Sequence, residues 1–240
     1  IGALPLYTDG IIARAAGALS LEAPDLSITV VTLDPEDIRR RMARDTLDLA
    51  LLMGPLAPEA QLAVQPLGRR RMMAIMRRDH PLAGRARIDV ADLTDVDMVM
   101  LLPPSPWRTL VLQAFARQAA PVRSRLECLT QRGAAVAALT AGMVTLIDQE
   151  LAEELAFDDA EVRIAPFTAV APWELIAVHR HDRPLSRAGA AIVHRLKLAA
   201  ADFNPPAGTE RWSRVTSRPS RCSRRCWRAA RPPWRPNGWA

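Results

Sequence analysis

The 240-residue chain is long enough for one large core or two smaller ones, and 49% of it is apolar, as in ordinary globular proteins. Its net charge of +6 does not mark a nucleic-acid binder: residues 205–240 hold nine Arg and one acid, Glu210, whereas residues 1–204 carry 23 basic and 25 acidic side chains. Three cysteines exclude a disulfide framework and fit a reducing, cytoplasmic setting, and no apolar run approaches the ~20 residues needed to span a bilayer.

Residues 1–5 read as the end of a short strand. Thr8 or Asp9 is placed to cap a helix with Ile11, Ile12, Ala15, Ala16 and Leu19 inward, which Pro24-Asp25 stops. Residues 26–31 alternate like a strand. Asp34-Pro35 is a cap followed by a proline at the first helical position, with Ile38 and Met42 on the buried stripe. Residues 47–53 form a nearly continuous apolar run, as expected of a strand covered on both faces. The alternation of strand and helix predicts a parallel sheet.

The same grammar restarts after an apolar run at 72–76 and a His80-Pro81 turn. A strand over 96–102 ends in Pro103-Pro104, and Ser105-Pro106 opens a helix with Leu110, Val111, Ala114 and Phe115 inward. A strand over 122–129 follows, with Cys128 expected as a buried, inert thiol. The Ala-rich helix 131–141 ends at Gly142, a strand spans 143–147, and Asp148 caps a short helix over 149–155. Strands over 162–167 and 173–178 precede a last helix, capped by Ser186 and reaching about Phe203, with Ile192, Val193, Leu196 and Ala200 inward.

Residues 205–240 hold four of the six Trp and six Pro, with no helical or strand period. They read as a disordered, non-native extension such as a frameshifted stretch. The competing reading is a basic arm for nucleic acid or a partner.

The search for chemistry is mostly negative. The chain has no G-x-S-x-G elbow, phosphate loop or G-x-G-x-x-G, and no cofactor is expected. His179 and His181 share one face of a strand end without further recognisable ligands, and Cys222 and Cys226 have too few partners for zinc. The expected roles are a solvated strand end for these histidines, a turn for His80 and the polar side of a helix for His194. Surface is expected for Arg39–Arg41, Arg69–Arg71, Glu153-Glu154 and Asp158-Asp159. An enzyme is not expected. What remains is a set of strand-to-helix junctions, and in open parallel sheets ligands bind beyond the carboxyl ends of the strands. Those junctions are Pro5-Leu6-Tyr7-Thr8, Met53-Gly54, Pro103-Pro104-Ser105 and Thr130-Gln131-Arg132. The candidate ligand-binding residues are therefore Pro5, Leu6, Tyr7, Thr8, Met53, Gly54, Pro104, Ser105, Thr130, Gln131 and Arg132, with Arg132 or Arg108 as a counter-charge. For the hydroxyls, simple helix capping is the competing role.

Residues 77–93 pass from an apolar run through Asp79-His80-Pro81-Leu82-Ala83 to an Asp-Leu step. This resembles the sensor-domain signature of LysR-type transcriptional regulators. Further matching pieces are Ile1-Gly2 with Leu4-Pro5, Ala23-Pro24-Asp25-Leu26, the run Asp45 to Leu51, Val136 to Gly142, and Arg180 to Ser186. The resemblance covers about residues 1–203. It departs where the family has a second glycine and a strand-closing proline, since Val144 and Asp148 fall in that stretch.

The resemblance implies an α/β effector domain of two Rossmann-like lobes joined by a two-crossing hinge, the type II periplasmic-binding-protein-like architecture. Lobe I would comprise 1–74 and 172–204, lobe II 75–171, with 205–240 as the disordered tail. The hinge crossings would lie near 72–78 and 168–174. The implied ligand is a small-molecule effector, an acidic or aromatic metabolite held between the lobes. The implied assembly is a homodimer or homotetramer, with no membrane partner. DNA contact would come only through an N-terminal winged helix-turn-helix outside these residues. The alternatives are a stand-alone solute-binding protein of the same fold, which needs an export signal, and an enzyme on this fold, which needs a titratable pair facing the cleft.

Overall fold

The computed structural model describes residues 1–54 and 61–201; the basic tail and its two cysteines lie outside them. Two five-stranded sheets organise the described residues. In the first, β1 (Gly2–Ala3) pairs in parallel with β2 (Val31–Thr32) and β3 (Ala50–Gly54). The late strand β10 (Trp173–Arg180) runs antiparallel between β3 and β4 (Leu62–Arg70). Side chains alternate across this sheet with period two. Leu49 and Leu51, with Leu175 and Ala177, face one core, which also holds residues of α2 (Ala13–Glu22) and α8 (Arg187–Ala201). Ala50 and Leu52, with Ile176 and Val178, face a second core completed by Ile38 and Met42 of α3 (Pro35–Ala43).

The second sheet has the order β7 (Ser124–Cys128), β6 (Met98–Leu101), β8 (Val144–Asp148), β5 (Met72–Arg77), β9 (Val162–Pro166). β6 is parallel to β7 and β8, whereas β5 is antiparallel to β8 and β9. Met72, Ala74 and Met76 alternate into a core with Val111, Ala114 and Phe115 of α5 (Pro106–Arg117) and Ala134 and Ala138 of α6 (Gln131–Ala141). The helix α7 (Gln149–Asp158) packs on β5, β8 and β9. Between β5 and β6 a single turn, α4 (Val90–Leu93), is closed by a capping box from Asp89 and Asp92. The chain passes from the first sheet to the second at Arg71 and returns between β9 and β10.

Most caps fall where the sequence places them. Asp34 Oδ1 accepts from Asp37 N at 2.7 Å, Ser105 Oγ from Arg108 N at 3.3 Å, Thr130 Oγ1 from Gly133 N at 3.0 Å and Ser186 Oγ from Gly189 N at 3.1 Å. Asp148 Oδ1 accepts from Glu150 N at 2.8 Å. Gly142 ends α6 in the left-handed region at φ 66°, where a Cβ would be strained. The ring of His80 accepts the Leu82 N–H at 3.2 Å, which fixes its turn.

Other expectations are corrected. The first helix starts earlier than predicted, as a turn α1 (Pro5–Tyr7) that runs through a π-helical turn (Thr8–Ile12) into α2. Thr8 therefore does not cap: its hydroxyl donates to Pro5 O at 3.0 Å. Of the strand expected over 26–31, only its last residue lies in β2, because the sequence alternation there reflects packing of Leu26, Ile28 and Val30 against the first core rather than ladder pairing. Both sheets are mixed, not purely parallel, because long returning strands enter each one antiparallel. β4 had no clear strand pattern, since its alternation is broken by Pro66, Gly68 and arginines.

Within the Arg69–Arg71 run, Arg70 is buried, with Nη1 donating to Arg69 O at 3.2 Å and to Ala200 O at 3.3 Å in the last turn of α8. His179 is buried rather than solvated, because β10 is an interior strand. Cys128 is only half-buried, because β7 is an edge strand and largely exposed.

Candidate functional site

A cavity of about 840 Å³ opens where strand ends of both sheets meet helix N-termini. From the first sheet come Leu4, Pro5, Leu6, Thr8, Thr32 and Met53, with Asp9 and Gly10 of the π-helical turn. From the second come Leu101, Leu102 and the Pro103-Pro104 pair, joined by a cis peptide, then Ser105 and Trp107. Leu129, Thr130, Gln131, Arg132, Gly133, Val136 and Ala137 add the start of α6, and Glu150, Leu151 and Glu154 the start of α7.

Nine of the eleven candidate residues are thus brought together: Pro5, Leu6, Thr8, Met53, Pro104, Ser105, Thr130, Gln131 and Arg132. Tyr7 and Gly54 are not in the lining. Tyr7 is fully buried, and its hydroxyl accepts from Trp173 Nε1 at 3.3 Å. Burial holds that hydroxyl in its protonated form by pushing its pKa well above the usual range. Gly54 ends β3 against Glu174 and Ile176 of β10, where a Cβ would come within 3.1 Å of Ile176 Cγ2. Arg108 is also outside the lining, donating to Leu101 O at 2.7 Å and pairing with Glu127 at 2.6 Å.

The sequence reading missed the α7 contribution. The sequence pattern places Glu154 on a solvated face; it is half-buried, lines the cavity and pairs with Arg132 at 2.7 Å. Glu150 is 5% exposed and forms an ion pair with Arg14 of α2, so one helix from each sheet is tied to the other beside the cavity. A Cβ on Gly10 would lie 2.6 Å from Glu150 Oε1, which is why this carboxylate needs a glycine opposite it. Burial raises the Glu150 pKa against the pull of Arg14 and Arg70. The available signal was the spacing of Glu150 and Glu154, one helical turn apart on one face.

Gln131 lines the cavity, and Asp148 lies buried behind it. Gln131, 6% exposed, accepts the Asp148 N–H on Oε1 at 2.7 Å, which fixes its amide orientation and makes the other atom a donor. Its Nε2 is buried with no hydrogen-bond partner among the described residues, as is Asp148 Oδ2. Burial pushes the Asp148 carboxyl up to about 7, against the pull of the Glu150 N–H and of Arg70.

Trp107 Nε1 donates to Leu146 O at 2.8 Å, and the Trp107 ring meets Trp173 edge-on at 4.9 Å. Trp107, Trp173 and Tyr7 therefore form one buried ladder from the second sheet to the first.

Among the described residues no group of three or more His, Cys, Asp or Glu is arranged to hold a metal ion. None of their helices is long and apolar enough to cross a membrane. The arrangement offers hydroxyls, helix N-termini and an amide around apolar walls, which suits binding.

Comparisons with known proteins agree with this architecture. The regulatory domain of Synechocystis CcmR, solved in complex with 2-PG, superposes with a TM-score of 0.69 at 22% identity, covering 85% of this chain and 97% of that one. The reduced OxyR regulatory domain of Pseudomonas aeruginosa gives 0.69 at 20% identity, covering 82% and 95%. A transcriptional regulator of Vibrio parahaemolyticus gives 0.69 at 17%, covering 84% and 94%. At these identities the likeness shows the fold, that of the LysR regulatory domains. A search of curated protein sequences finds no match. The profile described as the LysR substrate binding domain matches residues 1–201, and the chain belongs to that family.

Proposed function

We propose that this chain is the effector-sensing part of a LysR-type regulator, binding a small organic molecule between two lobes whose cores are the two sheets. The observation that carries the reading is the convergence of strand-to-helix junctions from both sheets on one cavity of about 840 Å³, within the range of small-molecule sites. Its walls of Leu6, Met53, Leu102, Leu129 and Val136 suit an aromatic or branched aliphatic body. In the full regulator, occupancy shifts the lobe arrangement and hence the geometry of a dimer or tetramer. That requires a ligand with different affinity for the two arrangements. Lobe I holds the first sheet with the returning β10 and α8, lobe II holds the second, and the passages at Arg71 and before Trp173 are the hinge. The setting is the cytoplasm, and DNA contact belongs to a separate helix-turn-helix domain.

The test is a thermal-shift screen of small metabolites against the wild-type chain and V136W, which fills the cavity from a half-exposed position. Sensing predicts compounds that stabilise the wild type and fail to stabilise V136W. Stabilisation that V136W leaves unchanged removes the cleft from the reading. Turnover of a bound compound by the chain would replace sensing with catalysis.

A further inference from the structure

The family resemblance allows an acidic or an aromatic effector, and the charges around the cavity separate the two. Arg132 is the one cationic side chain in the lining among the described residues, and Glu154 already neutralises it at 2.7 Å. Arg14, behind the lining, is held by Glu150. Asp9 lines the cavity and has no cationic partner among the described residues. The N-termini of α5 and α6 each bring about half a positive charge. Together they offset Asp9, and the N-terminus of α7 is taken up by its Asp148 cap, which leaves no surplus for a second anion. A carboxylate entering here would lose its water with no unpaired counter-charge to meet it.

One hydrogen-bond donor of the lining, by contrast, lacks an acceptor. Gln131 Nε2 is buried and without a partner, and its orientation as a donor is fixed because Oε1 holds the Asp148 N–H. A buried donor of this kind is costly unless something accepts from it. A neutral carbonyl supplies an acceptor and brings no charge.

Resting on the sensing reading above, we infer that the cleft selects an uncharged, largely apolar molecule carrying a carbonyl-type acceptor, directed to Gln131 and the α6 N-terminus, and discriminates against carboxylates. Glu154 is then a specificity residue. It occupies Arg132, the cation that an acid would need.

The experiment is calorimetric titration of the full 240-residue chain at pH 7.5 with 2-naphthamide and 2-naphthoate, which share a ring system and differ in charge. The amide is expected to bind about tenfold or more tightly than the acid, a difference of about 1.4 kcal/mol. In E154Q, which frees Arg132, the affinity for naphthoate relative to naphthamide is expected to rise about fivefold. Naphthoate binding as tightly as naphthamide to the wild type, or an E154Q variant that leaves the ratio unchanged, overturns the inference. V136W keeps the two readings apart. If it abolishes binding, the cleft reading stands and the ratio decides the charge class. If neither probe binds the wild type, or V136W leaves both titrations unchanged, the cleft reading fails together with the inference.

Discussion

Asp148 stands where the chain departs from the family pattern of a strand-closing proline, and it does two things there. One oxygen caps α7 through the Glu150 N–H, and burial leaves the other without a hydrogen-bond partner among the described residues. Its pKa is about 7 in the folded chain against an ordinary 3.8. Between those values the folded protein holds a proton that the unfolded one has released. Stability therefore falls as pH rises from about 4 to about 7 and then levels, by up to about 4 kcal/mol. D148N keeps an acceptor for the Glu150 N–H and removes the charge. It is expected to be more stable than wild type at pH 7.5 and to flatten most of the slope, with a remainder from Glu150, whose pKa is also raised. Urea unfolding at pH 4.5, 6 and 7.5 measures this, and an unchanged slope in D148N refutes it. The cap was legible in the sequence from an Asp before a helical stretch. The shifted titration was not, because burial of that carboxyl depends on Gln131 and β5, distant in sequence.

Helix ends carry the next level of information, because capping is local. Thr130 bonds the N–H of Gly133 three residues on, and Gly142 closes the same helix with a left-handed φ. T130A is expected to lose about 1 kcal/mol, measured by denaturant unfolding, because an N–H of the first turn loses its acceptor. G142A is expected to lose about 1 kcal/mol for a different reason, the Cβ clash at positive φ. The two losses should add, since the residues act at opposite ends of α6 and share no contact. A clearly smaller combined loss would mean that the helix end frays in either variant alone. The same locality explains which elements were read poorly. β4 pairs along its length with β10, more than a hundred residues later, and nothing in its own pattern announces that partner. β2 is the opposite case, since its alternation serves packing and only two residues pair.

At the scale of the whole molecule, the Arg14–Glu150 pair joins α2 to α7 and so ties the elements of one sheet to those of the other. Arg14 is half-exposed and Glu150 buried, so this pair lies between a surface bridge and an interior one. R14A is expected to cost about 1–2 kcal/mol, above the usual surface pair, because it leaves a buried carboxylate without that partner. In an E150Q background the same R14A substitution should cost well under 1 kcal/mol, and the double-mutant cycle isolates the coupling. A cycle with no coupling removes the pair as a tie between the two halves. The nearby ladder of Tyr7, Trp173 and Trp107 is uncharged and does not include this ion pair. Loss of coupling in the cycle would therefore leave the ladder as the main connection.

Whatever depends on neighbours within a few residues can be read from the chain alone. Caps at Asp34, Ser105, Thr130, Asp148 and Ser186, the Gly142 stop, the buried faces of α3, α5 and α8, and the order of strands and helices all belong here. Nine of the eleven candidate residues line one cavity for the same reason, since strand-to-helix junctions in this architecture gather at one edge. Packing between distant segments turns Tyr7 into the core to meet Trp173, buries Arg70 against the end of α8 and brings the carboxylates of α7 to the cavity. These outcomes are set by contacts between segments about 20 to 170 residues apart. A side chain's polarity alone does not say which distant surface will cover it.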